Sequence, residues 1–174
     1  MRYGLFFGYL IATYFVGQQL AYLANWPVLY ALVTLPGTIF HELMHYTVGA
    51  LLDGSPSGFS IWPTWDANGN MESLGHVMVH PNWYNAAPVG LAPFLLVPLT
   101  GLLLARATTR LNPLKIALYL WGAACSWAAC VPSGADFSIA GSYPSSWPCG
   151  VLMLAVVTWI SYRVVLMTLR GVKS

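Results

Sequence analysis

Residues Val28 to Leu52 read VLYALVTLPGTIFHELMHYTVGALL, a mostly apolar run whose second half carries His41-Glu42-Leu43-Met44-His45. On a helix, side chains four residues apart lie one above the other, so both imidazoles can grip a single divalent metal. Glu42 then stands beside the metal without binding it. A carboxylate in that place can take a proton from a water whose pKa the ion lowers towards roughly 7, and pass it to a leaving amine. Three ionisable side chains in an apolar run are costly to bury without a metal or mutual pairing. The run is therefore read as a membrane-embedded metal site, not as a helix with incidental polar groups.

The whole chain has the same character. Of its 174 residues 57% are hydrophobic and only 7% charged, whereas soluble domains carry roughly a quarter charged residues. This composition predicts an all-α integral membrane protein in contact with the lipid bilayer. At about 20 apolar residues per span, the length suits one transmembrane domain over residues 1–174, with no separate soluble domain. Net charge is +2, and the seven Lys and Arg are scattered. No basic patch marks a nucleic-acid partner. Cys125, Cys130 and Cys149 have no Cys-x-x-Cys spacing and read first as small apolar packing residues. A Cys130 to Cys149 bridge and Cys130 as a metal ligand are the lesser readings.

Working outward from the motif, the chain predicts a polytopic bundle of about five spans with a small β-like hairpin insert. The first span covers Tyr3 to Ala24, too long an apolar run for a signal-peptide core. The second covers Val28 to Leu52, with a kink or restart expected at Pro36-Gly37 and a stop at Asp53-Gly54. The third runs from Asn85 to Ala105, its small residues and prolines allowing close backbone approach to a helix or substrate. The fourth covers Leu114 to Val131, the last Cys149 to Leu169.

The insert, residues 53–84, is the least hydrophobic segment, with turn signals at Asp53-Gly54 and Asn68-Gly69 and aromatic residues suited to a membrane surface. Within it Met71 to His80 reads as an extended segment. Its alternation sets Glu72, Leu74, His76, Met78 and His80 on one face, and Ser73, Gly75, Val77 and Val79 on the other. His76 and His80 form a second pair four apart. They are open to three readings: part of a two-metal site, groups that polarise a substrate carbonyl, or interfacial histidines ahead of Pro81-Asn82.

Beyond the fourth span comes Pro132-Ser133-Gly134-Ala135-Asp136-Phe137. Of the five acidic residues, Asp136 is the one that follows a helix break in apolar surroundings. A metal or cation partner would offset the cost of a carboxylate there, which makes Asp136 the candidate third ligand. The competing role is a cap for the helix end, and a polar, Ser- and Gly-rich connection with Pro144 and Pro148 then leads into the last span.

Together these features resemble the site-2 protease family of intramembrane zinc metalloproteases: His41-Glu42-x-x-His45 in a membrane helix, a polar hairpin-like insert, another span, then Asp136 after a proline-containing break. The resemblance covers about Val28 to Phe137, and the first motif carries most of its specificity. It implies a catalytic core over residues 28–137, with Zn2+ held by His41, His45 and Asp136 and with Glu42 as general base. It also implies cleavage in or near transmembrane segments of membrane protein or peptide substrates, in a multi-pass protein of a bacterial cytoplasmic membrane. The insert would help hold an extended substrate, with His76, Val77, Met78 and Asn85 facing it. The family pattern has Asn and Pro upstream of Leu-Asp-Gly, whereas here Ala135 precedes the Asp and Phe137 follows it. The positive charges at Arg106, Arg110, Lys115, Arg170 and Lys173 favour an external insert, whereas the resemblance implies a cytoplasmic one. Two other functions fit the same residues: a di-iron membrane oxidase or desaturase using both histidine pairs, and a non-catalytic adaptor with a structural zinc site.

Overall fold

The computed structural model describes residues 2–68, 71–109 and 112–170. The chain is mostly helical with two small sheets. Helix α1 (Arg2–Leu20) runs into a 3-10 turn (Ala21–Asn25), and α2 (Pro27–Leu51) carries the histidine motif. After the insert come α3 (Ala86–Gly90), a 3-10 turn (Ala92–Leu95), α4 (Leu96–Ala107), α5 (Pro113–Ala129) and α6 (Gly134–Gly141). A further 3-10 turn (Pro144–Ser146) leads into α7 (Trp147–Arg170).

Among the described residues, two helical segments are long and apolar enough to cross a membrane, Pro27–Leu51 and Pro144–Thr168. A third is added if α5 and α6, bent by 51° at their break, are taken as one span. The segments read as the first and third spans take other forms. Helix α1 is not among these candidates, and its Gln18 and Gln19 lower the apolarity of its second half. The third does not form one helix. Pro88, Pro93 and Pro98 interrupt its hydrogen-bond ladder, and it divides into α3, a 3-10 turn and α4.

Helix α2 starts on Pro27, where the missing N–H costs nothing, and passes through Pro36 without restarting. The Val33 carbonyl, three residues before Pro36, also accepts from Trp121 Nε1 at 3.0 Å and Cys125 Sγ at 3.3 Å, which ties α2 to α5. The expected stop is real. Asp53 takes a left-handed φ of 56°, and the Gly54 N–H donates back to the Gly49 carbonyl at 2.7 Å, the pattern that ends a helix on its own last turn.

The insert is a pair of antiparallel ladders. Strand β1 (Ser57–Ser60) pairs with β4 (His76–Met78), and β2 (Thr64–Trp65) with β3 (Met71–Ser73). The segment read as one strand is thus two, separated at Leu74-Gly75. The expected alternation holds from Gly75 onward: His76, Met78 and His80 are exposed, while Gly75, Val77 and Val79 are half-buried. At the neck His80 N–H donates to the Gly54 carbonyl at 2.8 Å. Trp62, Trp65 and Trp83 are exposed, as residues at a membrane surface would be. Gly69 of the expected turn and the charged Arg110 and Lys173 lie outside the described residues.

The small residues opening the third segment do bring backbones together. A Cβ on Gly90 would run into the Asp136 carbonyl oxygen and Ala140, so only glycine lets α3 lie directly against α6. All three cysteines are free, Cys125 and Cys130 buried and Cys149 exposed. The Cys130 to Cys149 bridge is not formed.

Candidate metal centre

Helix periodicity stacks the motif on the inward face of α2. His45 and Glu42 are buried, and His41 is half-buried. The two Nε2 atoms lie 3.2 Å apart. Asp136 enters from α6, with Oδ1 3.0 Å from His45 Nε2 and Oδ2 3.3 Å from His41 Nε2. Donor atoms of these three residues all lie within 4.8 Å of one another, close enough to hold a metal ion.

Two backbone carbonyls fix how the rings are presented. His41 Nδ1 stands 2.8 Å from the Ala129 carbonyl at the end of α5, and His45 Nδ1 2.8 Å from the Val89 carbonyl in α3. A carbonyl can only accept, so each Nδ1 bears a proton and each ring turns its Nε2 towards Asp136. Two imidazole Nε2 atoms and a carboxylate thus face one another at about 3 Å, a spacing that a shared cation would hold together. The donor set therefore fits a divalent ion.

Asp136 faces both histidines and also serves as a cap, but at the start of α6, a helix the sequence reading took as a connection, and not at the end of the fourth span. It is the third residue of α6, whose first turn carries a capping box: the Asp136 N–H donates to Ser133 Oγ at 3.2 Å, and the Ser133 N–H donates to Asp136 Oδ2 at 2.6 Å. The cap points the carboxylate at the histidines. Its second oxygen, Oδ1, is the one nearest His45.

A cavity of about 670 Å³ opens beside this group. One stripe of α2 forms its floor, from Tyr30 through Thr34, Thr38, His41 and Glu42 to His45. Ala128 and Ala129 of α5 and Ser133 to Asp136 form one wall, and Glu72 to Val77 of the insert form the roof. The roof rests directly on the motif at Gly75, where an added Cβ would fall 2.8 Å from the Ser60 carbonyl oxygen, 3.0 Å from Thr38 Cγ2 and 3.1 Å from Glu42 Cγ.

Of the residues expected to face a substrate, His76 and Val77 line this cavity and Met78 and Asn85 do not. Met78 is 58% exposed because it falls on the outward face of β4. Asn85 is fully buried and works as a clamp, donating from Nδ2 to the Leu52 and His80 carbonyls and accepting from the Asn82 N–H through Oδ1. It joins the end of α2 to the neck of the insert. Among the described residues His76 and His80 do not join the donor group, so no two-metal arrangement forms. Sequence reasoning missed the carbonyls of Val89 and Ala129, which carry no residue signature of their own. It also missed Glu72 as a cavity residue.

Comparison with family models, with curated proteins and with solved structures finds no match to this chain.

Proposed function

We propose that the protein is an intramembrane metallopeptidase of the site-2 protease kind, with zinc held by His41, His45 and Asp136. The observation that carries this reading is the convergence of two imidazole Nε2 atoms and a carboxylate beside Glu42, in a cavity on a helix apolar enough to cross a bilayer. Two imidazoles and one carboxylate suit zinc with a position left open, and when bound the ion supplies a Lewis acid and water of lowered pKa. The open cavity beside the donors, with no fourth side-chain ligand among the described residues, favours a catalytic over a structural centre.

In this reading Glu42 accepts a proton from the attacking water, whose oxygen adds to the scissile carbonyl carbon. The C–N bond then breaks, and Glu42 returns the proton to the leaving amine nitrogen. His41 and His45 are held in register by backbone carbonyls and Asp136 by its cap, so little reorganisation accompanies reaction. A helical substrate first unwinds, since its carbonyls are otherwise engaged. The extended segment lies under the insert, where His76 and Val77 meet it and the β3–β4 backbone pairs with it. About five passes complete the assignment, with α1, the broken α3–α4 segment and the bent α5–α6 pair counted beside α2 and α7, in a bacterial cytoplasmic membrane.

The test is reconstitution of wild type and Glu42→Gln with a panel of single-span substrates, alongside zinc analysis. Equal zinc in both proteins with cleavage only by wild type is expected. Equal cleavage by both would sink the role given to Glu42, and absence of zinc from both would sink the metal assignment.

A further inference from the structure

The two carbonyls that hold the histidine rings have both lost their helical donor. In an unbroken helix the Val89 carbonyl would accept from the N–H of residue 93, but that residue is Pro93 and has none. After Leu91, whose N–H bonds back to the Ala87 carbonyl at 2.9 Å and also leans on the Val89 carbonyl, the chain leaves α3 and starts a new turn with Phe94 N–H on the Leu91 carbonyl at 3.1 Å. The Ala129 carbonyl loses its helical donor differently, at the break between α5 and α6, where that donor would be the N–H of Ser133, four residues on. Residue 132 is Pro132, with no N–H to offer, and the N–H of Ser133 is turned away to Asp136 Oδ2. In an apolar interior a carbonyl that has lost its helical donor is costly. Here the imidazoles are the donors, His45 to Val89 and His41 to Ala129, each at 2.8 Å.

We propose that Pro93 is a positioning residue of the metal centre: by withholding an N–H it keeps the Val89 carbonyl free to hold His45 with its proton on Nδ1 and its Nε2 turned to the metal. A residue with an N–H at position 93 would compete with the imidazole for that carbonyl. His45 would lose its fixed tautomer and orientation. The proposal stands on the metal centre and not on peptidase activity, so loss of cleavage in Glu42→Gln neither supports nor weakens it.

The experiment is titration of Pro93→Ala with cobalt(II), followed by its visible absorption and by competition with zinc, together with a thermal melt. Pro98→Ala is the control, because Pro98 lies within α4, away from the cavity. The expected result is a roughly 10–100-fold loss of metal affinity in Pro93→Ala, a small fall in melting temperature from the lost packing of the fully buried proline ring, and unchanged affinity in Pro98→Ala. Affinity in Pro93→Ala within about twofold of wild type, or an equal loss in Pro98→Ala, overturns the proposal. Should Pro93→Ala not fold, 15N–1H spectra of zinc-loaded wild type decide. A proton on His45 Nδ1 supports the proposal, and ligation through Nδ1 overturns it.

Discussion

The molecule contains two pairs of histidines with the same four-residue spacing, and they behave in opposite ways. His41 and His45 sit on α2, where four residues advance only about 6 Å and return almost to the same side, and their Nε2 atoms meet at 3.2 Å. His76 and His80 sit on and just beyond β4, where four residues advance about 13 Å, and both side chains are exposed. Only the first pair finds backbone carbonyls for its Nδ1 atoms and a carboxylate for its Nε2 atoms. Spacing becomes a metal site when the element shortens it and the neighbours orient it. The strand pair has the same residues and neither condition.

The comparison can be broken most sharply at Glu42, the acid group beside the helical pair. Glu42→Gln should lower cleavage by at least 10²-fold while leaving metal content unchanged, as read by turnover of a single-span substrate and by metal analysis. Asp136→Ala comes next. It should empty most of the metal site and also remove the α6 cap, costing about 1 kcal/mol of stability. Ser133→Ala should cost a similar amount in a thermal melt with a smaller loss of metal, which separates cap from ligand. An Asp136→Ala protein with full metal occupancy would transfer the third-ligand role elsewhere.

Gly75→Ala probes the contact between the two regions. Its Cβ would press on the Ser60 carbonyl, Thr38 and Glu42, so a cost of about 1–3 kcal/mol is expected, with the insert lifted from α2. Faster hydrogen exchange across β3 and β4 would report it, and unchanged protection would mean that the roof yields without moving. The smallest effects belong to the strand pair. His76→Ala and His80→Ala should both keep full metal content. His76→Ala should lower cleavage because it removes a cavity-lining side chain, and His80→Ala should leave cleavage unchanged. Loss of metal in either variant would erase the contrast between the pairs.

Much of the centre was legible in the sequence because its parts are local. The His41, Glu42 and His45 stripe follows from helix periodicity, whereas the capping box of Ser133 and Asp136 begins a helix, α6, that the sequence reading took as a connection. That Asp136 reaches the histidines was legible only as a cost, a carboxylate in apolar surroundings that needed a partner. What resisted reading depends on contacts between distant segments. The exposed alternation along β4 was visible, but not the interruption at Leu74-Gly75, which arises where the hairpin meets α2. Asn85 looked available to a substrate because it opens an apolar segment. The fold instead spends its amide on the carbonyls of Leu52 and His80, two otherwise separate chain ends.

The sequence by itself determined a mostly helical, apolar chain with two imidazoles and a carboxylate on one helical stripe, because hydrophobicity and a 3.6-residue period are properties of neighbouring residues. Only the tertiary structure decided how those groups point. The breaks after Val89 and Ala129 leave backbone carbonyls facing α2, and the cap on α6 brings Asp136 to both rings. Orientation depends on which hydrogen-bond partners remain after every helix has used its own, and that is settled where separate helices end against one another.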